Sequence, residues 1–149
     1  MLRDATLDDI PDLILLGERM HNESIYACLR YSPSKVAETF SRLIDSERGL
    51  FLVAERAGAI VGFVTASAGE PYFSDEIMVT EHLVYMTPEN RGTITAVRLL
   101  MAFVQWAKRF EPKLITAGIT TGVTMRESAE LYQRIGFDLM GYVFKWSDG

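Results

Sequence analysis

Apolar residues follow two different spacings along this chain, and the spacing changes from one segment to the next. In some segments they recur every three or four positions, as on one face of a helix, and in others they form short, β-branched runs typical of strands. The pattern predicts strands at residues 2–5, 50–55, 59–67, 76–87, 113–120 and 137–146. It predicts helices at residues 6–20, 32–48, 93–110 and 126–135.

Local signals mark several ends of these elements. Thr6 followed by Asp9 indicates a capped helix start, and Ala57-Gly58 between two strands indicates a hairpin turn. A proline stops the fourth strand, and Gly136 stands where a helix C-cap is expected. The predicted order of elements is therefore β-α-α-β-β-β-α-β-α-β.

This order predicts a single α/β domain that spans residues 1–149. Runs of antiparallel strands lead into a central strand-loop-helix-strand unit, so we expect a mixed, mostly antiparallel sheet with helices on both faces. The chain has no internal repeat or linker that would divide it. Ligands of such sheets bind beyond the carboxyl ends of strands, where strand order or spacing changes. The junction between strand 76–87 and helix 93–110 is therefore the expected place for a site.

Composition and charge exclude several classes of function. A net charge of −5 and a pI near 5.0 leave no basic surface for nucleic acid, so no nucleic-acid partner is expected. The longest apolar stretches are too short to cross a bilayer, and the N-terminus lacks the features of a secretory signal, so we expect a cytoplasmic protein with no membrane partner. Cys28 is the only cysteine and no histidine pair has metal-ligand spacing, so we expect neither an internal disulfide nor a metal.

The loop after the fourth strand has the features of an anion site. The helix that follows presents unpaired backbone N–H groups and the positive end of its dipole. A diphosphate would be held by those N–H groups, by the charge of Arg91 and by the hydroxyls of Thr93 and Thr95. The alternative is an ordinary strand-to-helix turn with a solvated arginine.

Two motifs in this part of the chain resemble a known family. Residues 88–92, Pro-Glu-Asn-Arg-Gly, are similar to the start of the coenzyme A signature of the GCN5-related N-acetyltransferase (GNAT) family. The general form of that signature is Arg or Gln, two residues, Gly, one residue, then Gly or Ala. Arg91 and Ala96 fit it, whereas Ile94 stands where the family usually has glycine. Residues 129–137 resemble the later motif Leu-Tyr, three residues, Gly-Phe, and Met125 replaces an asparagine that contacts the cofactor in many members.

The resemblance implies an N-acetyltransferase that uses acetyl-coenzyme A and acts on a primary amine. It implies that coenzyme A contacts the following residues: Tyr85, Met86, Arg91, Gly92, Thr93, Ile94, Thr95 and Ala96. The acceptor is a small-molecule or peptide amine that the sequence does not identify, and the acidic chain would favour a cationic one. The alternative is a non-catalytic binding or assembly module with the same fold, in which Ile94 and Met125 record a degenerate cofactor site.

Two residues are expected to transfer protons. The resemblance implies that Tyr132 lies near the cofactor sulfur and protonates the departing thiolate, whereas the alternative is a tyrosine that only packs in the core. Glu81 resembles an acidic residue that several members place on this strand, where it would deprotonate the amine directly or through water. Half-burial would raise its pKa toward the working pH. The alternatives are that Glu81 lies at a solvated edge and that His82 is the base.

The orientation of these residues follows from the strand that carries them. Regular alternation predicts that Glu81, Leu83 and Tyr85 share one face of strand 76–87 and that His82 lies on the other. The resemblance adds that family members often have a bulge here, which would re-aim one of these side chains.

The same strand is expected to separate from its neighbour. In the family this separation admits the pantetheine arm, and a backbone N–H near Tyr85 or Met86 would then stabilise the thioester oxygen. Gly118 in strand 113–120 would mark the opening, or else a simple bulge. Beyond the last strand little chain remains, so we expect the sheet edge to be covered either by a second copy in a homodimer or by residues 142–146 folding back.

Overall fold

The computed structural model describes residues 1–119 and 121–148, so that Thr120 and Gly149 lie outside the described residues. The elements in this part of the chain are β1 Leu2–Asp4, α1 Ile10–Glu23, α2 Pro33–Asp45, β2 Gly49–Arg56, β3 Ala59–Gly69, β4 Met78–Met86, α3 Ile94–Lys108, β5 Leu114–Thr116 and α4 Met125–Ile135. The strands form one sheet in the order β1-β2-β3-β4-β5, in which every pair is antiparallel except β4 with β5. This is the mixed, mostly antiparallel sheet that the sequence predicts.

Helices cover both faces of the sheet, as the sequence predicts. On one face, α1 and α2 bury Leu13 and Phe40 against Phe63 of β3. On the other face, α3 buries Leu99 and Phe103 in the second core cluster. Burial of a large apolar side chain contributes about 2–3 kcal/mol, so the two layers hold the sheet rigidly between them. None of the helices in the described residues has both the length and the apolar composition needed to span a bilayer.

The hairpin between β2 and β3 confirms the turn predicted at Ala57-Gly58. Both residues have positive φ angles, 53° and 80°. A two-residue loop with positive φ at both positions is a type I′ turn, whose twist matches that of the flanking strands. The capping signal at Thr6 marks a short 3₁₀ turn, Leu7–Asp9, that leads into α1, and the Asp9 carboxylate accepts a hydrogen bond from the backbone N–H of Thr6 at 2.8 Å.

A bulge in β4 corrects the predicted alternation of side chains. Across the β3–β4 pair, Thr65 lies opposite Leu83 but the next residue, Ala66, lies opposite Glu81, so His82 is the extra residue. Before the bulge, Glu81 therefore lies on the α3 face of the sheet. After it, Tyr85 packs with the α1–α2 cluster. The prediction that Glu81, Leu83 and Tyr85 share one face is thus wrong, because the bulge reverses the alternation between them.

Strands β4 and β5 separate after a short paired region. Their parallel pairing ends with Thr80 opposite Thr116, whereas β4 continues to Met86. Beyond this point the edge of β4 that faces β5 is open, which is the separation expected from the resemblance. The predicted strand 113–120 is therefore shortened to Leu114–Thr116, and its last residue, Thr120, lies outside the described residues.

The strand predicted at residues 137–146 is absent from the described residues. Residues 137–148 have no regular secondary structure, and most of them are exposed. Strand geometry requires a second backbone to supply hydrogen bonds, and among residues 1–119 and 121–148 none pairs with this segment. The prediction was therefore wrong for the isolated chain, although the residue pattern that led to it remains.

Candidate active site

A cavity of about 360 Å³ opens where β4 and β5 separate. Its walls are β4, the loop before α3 with the first turn of α3, the chain after β5, and α4. This is the junction at which the sequence places a site. The volume lies within the usual range for small-molecule sites, which is about 300–1,000 Å³.

Glu81 lies at the point where the two strands part. Only 5% of the residue is exposed. Its Oε2 atom accepts a hydrogen bond from the backbone N–H of Gly118 at 3.1 Å and one from the Tyr132 hydroxyl at 3.4 Å. Within the described residues its other carboxylate oxygen, Oε1, is buried without a hydrogen-bond partner. Gly118 therefore lies at the opening between β4 and β5, which is one of the two positions expected for it. Its backbone amide donates a hydrogen bond to the Glu81 carboxylate.

The environment of Glu81 changes its acidity. Desolvation by burial raises the pKa of Glu81 from 4.5 to about 7, although its hydrogen bonds with Gly118 and Tyr132 partly oppose this change. At neutral pH the carboxyl group is therefore close to half-ionised. Such a group can both accept and release a proton near pH 7, which is the property that general-base catalysis requires.

Tyr132 belongs to α4 and lines the cavity, where its hydroxyl faces Glu81 of β4. The residue is 6% exposed, and its ring packs edge-on against Phe137 at 5.6 Å between centroids. Burial and the nearby Glu81 carboxylate raise the pKa of the hydroxyl far above its ordinary value. The hydroxyl therefore stays protonated throughout the physiological range and is available as a proton donor. The ring packs in the core and the hydroxyl contacts Glu81, while the role of Tyr132 as an acid stays a prediction.

His82, the second candidate base, occupies the bulge itself. Its side chain is exposed, and its Nε2 atom is 2.7 Å from the Ser67 hydroxyl. Partial burial lowers the pKa of the imidazole below its ordinary value. His82 contributes to the cavity wall, but its hydrogen bond is to Ser67 rather than to Tyr132. Of the two candidates, Glu81 alone contacts the predicted acid.

The loop between β4 and α3 is held by Arg91. Its Nε atom donates to the Met86 carbonyl oxygen at 3.0 Å, and its guanidinium pairs with Glu23 at the end of α1 at 2.9 Å. The guanidinium carbon lies 5.4 Å from the ring centroid of Tyr85, and the Tyr85 hydroxyl donates to the same Glu23 carboxylate. The charge of Arg91 is therefore partly neutralised by the protein. Local sequence spacing does not predict this role of Glu23, because Arg91 and Tyr85 lie far from it in sequence.

The residues predicted to bind the cofactor do not all face the cavity. Those that line it are Tyr85, Met86, Arg91, Gly92, Thr93 and Ala96. Ile94 is 60% exposed, and neither it nor Thr95 contributes to the wall. Thr93 is the N-cap of α3: its hydroxyl accepts from the Thr95 amide at 3.4 Å and donates to the Asn90 carbonyl oxygen at 3.2 Å. The Thr93 hydroxyl thus orders the helix terminus instead of being a free donor.

Backbone groups of β4 are directed into the cavity. The amide of Thr87 donates to the Val61 carbonyl oxygen at 2.9 Å and so points toward β3. Since alternate residues of a strand direct their backbone groups to opposite edges, the amides of Met86 and Val84 point toward the opening. The bond from Arg91 to the Met86 carbonyl oxygen agrees with this direction. By the same alternation, the amide of Tyr85 points toward β3.

Contacts that the sequence did not predict join the connection between α1 and α2 to the loop before α4. The backbone N–H of Ile25, just after α1, donates to the carbonyl oxygen of Thr121 at 2.8 Å. Gly122 has a φ of +79°, and a Cβ there would lie 2.7 Å from the Ile25 side chain. The α1–α2 connection is therefore packed against the loop that leads into α4. In the connection between β3 and β4, Tyr72 and Phe73 are exposed and pack against each other.

Comparisons with known proteins agree with this geometry. The sequence model of the acetyltransferase (GNAT) family matches residues 19–137. The L-methionine sulfoximine/L-methionine sulfone acetyltransferases of Pseudomonas aeruginosa and Pseudomonas paraeruginosa are each 24% identical to this chain over 146 residues, or 94% of this chain and 81% of theirs.

Two solved structures illustrate the shared fold. The aminoglycoside 6'-N-acetyltransferase AAC(6')-IG from Acinetobacter haemolyticus has a TM-score of 0.74 and 16% identity, covering 100% of this chain and 98% of its own. AAC(6')-Iy in complex with the bisubstrate analogue CoA-S-monomethyl-acetylneamine has a TM-score of 0.79 and 14% identity, covering 100% and 97%.

Proposed function

This chain belongs to the acetyltransferase (GNAT) family, and on that premise we propose that it transfers the acetyl group of acetyl-coenzyme A directly to a primary amine. One observation supports the proposal above all others. A buried carboxyl group with a pKa of about 7, Glu81, contacts a buried and protonated hydroxyl, Tyr132, at the floor of a cavity between separating strands. A base and an acid in contact are what amide formation from a thioester requires.

The residues around the cavity fit coenzyme A. The first turn of α3 lies at one end of the cavity, with Gly92 and Thr93 in its wall, and a helix N-terminus is a favourable position for a diphosphate. The open edge of β4 offers the amides of Val84 and Met86 to an extended, amide-containing arm. When bound there, acetyl-coenzyme A supplies an activated acetyl group and a sulfur leaving group. Glu81 and Tyr132 lie beyond this edge, at the floor.

Glu81 acts as the base in this proposal. As its carboxylate, it removes a proton from the attacking nitrogen, directly or through a water molecule. An amide of β4 facing the opening, from Val84 or Met86, donates to the carbonyl oxygen as negative charge develops on it.

Tyr132 acts as the acid. Its hydroxyl gives a proton to the departing sulfur, and the proton that Glu81 has taken from nitrogen passes to the tyrosine oxygen across their 3.4 Å contact. For a neutral amine, one proton thus moves from nitrogen to sulfur, and both side chains return to their starting states. An acceptor that arrives as an ammonium ion first releases a further proton to solvent. The raised pKa of Tyr132 ensures that the hydroxyl is protonated before each turnover.

The acceptor in this proposal is a small molecule that carries a primary amine. Two relatives are named for L-methionine sulfoximine and L-methionine sulfone, and a structural neighbour is bound to an analogue of an aminoglycoside fragment. The cavity volume suits a ligand of this class. Glu127, in the cavity wall, adds negative potential that favours a cation, whereas the charge of Glu23 is paired with Arg91.

The test is acetyl transfer to a panel of amines, including amino-acid sulfones, aminoglycosides and polyamines. Glu81→Gln and Tyr132→Phe are each expected to lower the rate by 10²- to 10⁴-fold with any acceptor that reacts. Matched controls are Glu130→Gln and Tyr72→Phe, since both residues are exposed and neither lines the cavity. These controls should retain full activity.

Cofactor binding separates this proposal from that of a non-catalytic module. Coenzyme A at a hundred times its dissociation constant should stabilise the folded protein by about 2.7 kcal/mol, which is readily seen as a rise in melting temperature. No rise at saturating coenzyme A would favour a degenerate cofactor site. A rise without acetylation of any tested amine would leave the cofactor site in place and count against the acceptor class.

A further inference from the structure

His82 is a titratable group in the cavity wall that the proposed acid and base leave unused. It occupies the bulge in β4, directly after Glu81, and both residues line the same cavity. Its partner Ser67 comes from β3, and the residues on either side of Ser67, Ala66 and Ala68, belong to the core cluster under α3. Because side chains alternate along a strand, Ser67 and His82 lie on the α1–α2 face of the sheet, whereas Glu81 lies on the α3 face.

The two neighbouring groups differ in their access to water. Glu81 is 5% exposed, and its carboxylate accepts hydrogen bonds from the Gly118 amide and the Tyr132 hydroxyl. His82 is exposed, and its Nε2 atom lies 2.7 Å from the Ser67 hydroxyl. A proton on Glu81 can therefore pass to Tyr132, whereas a proton on His82 can pass to solvent.

Acetylation of an alkylamine requires the removal of two protons. Such an amine has a pKa close to that of lysine, about 10.4, so at about pH 7.4 roughly one molecule in a thousand is neutral. The ammonium ion must lose one proton before its nitrogen can attack, and the nitrogen loses another as the amide forms. In the proposed function Glu81 and Tyr132 carry the second proton to sulfur. If Glu81 already held the first proton it could not accept the second, so the first needs a different acceptor.

Resting on the proposed acetyl transfer, we propose that His82 is a further catalytic residue, which removes the first proton from the ammonium group of the acceptor and releases it to solvent. The N–H bond of the ammonium ion breaks, its electron pair stays on that nitrogen, and a new N–H bond forms on the imidazole. The imidazolium then loses the proton to water. An ammonium ion and acetyl-coenzyme A thus yield the amide, the free thiol of coenzyme A and one proton in solution.

Ser67 positions the imidazole for this step. When the Nε2–H group of His82 donates to the Ser67 hydroxyl, Nδ1 carries the lone pair that accepts the proton. The same hydrogen bond persists in the imidazolium, since both ring nitrogens are then donors. Ser67 therefore holds the ring in one orientation before and after the transfer.

The surroundings of His82 favour the neutral imidazole. Partial burial lowers the pKa of His82 below its ordinary value of 6.5, so the ring is mainly neutral at pH 7 and can accept a proton. In the part of the chain that the structure describes, its hydrogen bond is to Ser67 and not to any other titratable or charged group of the cavity wall. Those groups are Glu81, Tyr85, Arg91, Glu127, Tyr132 and Arg134.

Two small amines of different basicity test the proposal. Ethylamine is almost entirely an ammonium ion at neutral pH, whereas trifluoroethylamine has nearly the same size but is mainly neutral, because its fluorine atoms withdraw electrons. The measurement is kcat/KM for each amine at saturating acetyl-coenzyme A, with the parent and with His82→Gln. We expect a loss of about 10²- to 10³-fold with ethylamine, the upper bound being set by its neutral fraction. With trifluoroethylamine the loss should stay below about threefold, because no proton has to leave before attack.

Three further variants separate His82 from its neighbours. Glu81→Gln should lower the rate with both amines alike, since the second proton must leave in either case. Ser67→Ala should show the same dependence on amine basicity as His82→Gln, with a smaller loss. His21 is the other histidine of the chain and lies outside the cavity wall, so His21→Gln should retain both rates.

Equal losses with the two amines, or no loss with ethylamine, would overturn the proposal. To show that His82→Gln is folded and keeps its cofactor site, its melting temperature should rise with coenzyme A as much as that of the parent. A parent protein that acetylates neither these amines nor any member of the panel refutes the proposed function itself. Failure of the proposed function is thereby distinguished from failure of the role assigned to His82.

Discussion

The burial of Glu81 predicts that the protein gives up stability in order to hold this carboxylate. In the folded chain the pKa of Glu81 is about 7, compared with 4.5 for an ordinary glutamate. A difference of this size corresponds to a penalty on the order of 3 kcal/mol for the ionised form. Glu81→Gln keeps the shape and one hydrogen-bonding oxygen but cannot ionise, so it should remove the penalty.

The sign of the pH dependence follows from proton linkage. Below about pH 4.5 the carboxyl is protonated in both folded and unfolded chains, and its charge carries no penalty. As the pH rises toward 7, the unfolded chain releases the proton while the folded chain retains it, so Glu81 lowers the free energy of unfolding progressively. Above pH 7 the penalty is complete. The advantage of Glu81→Gln over the parent should therefore grow by up to about 3 kcal/mol between pH 4.5 and pH 8.

Urea unfolding of the parent and of Glu81→Gln at pH 5, 6, 7 and 8 measures this difference. The exposed Glu130 provides the matched control, and Glu130→Gln should show no such trend. Glu81→Gln should also lose 10²- to 10⁴-fold in kcat/KM and lack the activity limb expected for the parent near pH 7. A stability difference between Glu81→Gln and the parent that is constant from pH 5 to pH 8 would refute the reasoning, because Glu81 would then titrate as an ordinary glutamate.

Three further predictions concern other parts of the molecule. Tyr132→Phe removes a hydrogen bond that lowers the pKa of Glu81. We therefore expect a lower kcat and an acidic limb of the pH–rate profile that moves above pH 7. An unmoved limb would mean that the two groups do not interact. Glu23→Gln releases Arg91 from its ion pair and makes the cofactor site more positive, so the Kd for coenzyme A by calorimetry should fall about two- to fivefold at low salt and less at high salt. A weaker affinity would indicate that the pair orders the loop. Phe103→Ala should lower the free energy of unfolding by about 3–5 kcal/mol in urea, since Phe103 is fully buried, and a loss below 1 kcal/mol would contradict its place in the core.

Periodicity was sufficient to predict most of the fold. The helical spacing of apolar residues in residues 93–110 reflects the burial of Leu99 and Phe103 on a single face, so the helix and its inner side could both be read from the sequence. The turn at Ala57-Gly58 was also predictable, because a two-residue loop containing glycine between apolar runs has few alternatives.

The features that the sequence did not reveal depend on single insertions or on distant partners. An extra residue at His82 leaves no mark in composition. The family resemblance indicated a bulge in this strand but not which side chains it turns, so regular alternation assigned Leu83 and Tyr85 to the wrong face. The pairing of Arg91 with Glu23 joins residues far apart in sequence and could not be inferred from local spacing. The apolar pattern in residues 137–146 is typical of a strand, but a strand also needs a neighbouring backbone, which local spacing does not predict.

The extra residue in β4 has a consequence for how related sequences should be compared. The extra residue turns every later side chain of β4 to the opposite face of the sheet. The strand can therefore direct the Glu81 carboxylate toward α4 near its start and Tyr85 toward α1 near its end. A homologue one residue shorter here could preserve the orientation of one of these groups but not of both. Aligning such a sequence without a gap would equate side chains that point in opposite directions, and the identity of the base would be assigned to the wrong position.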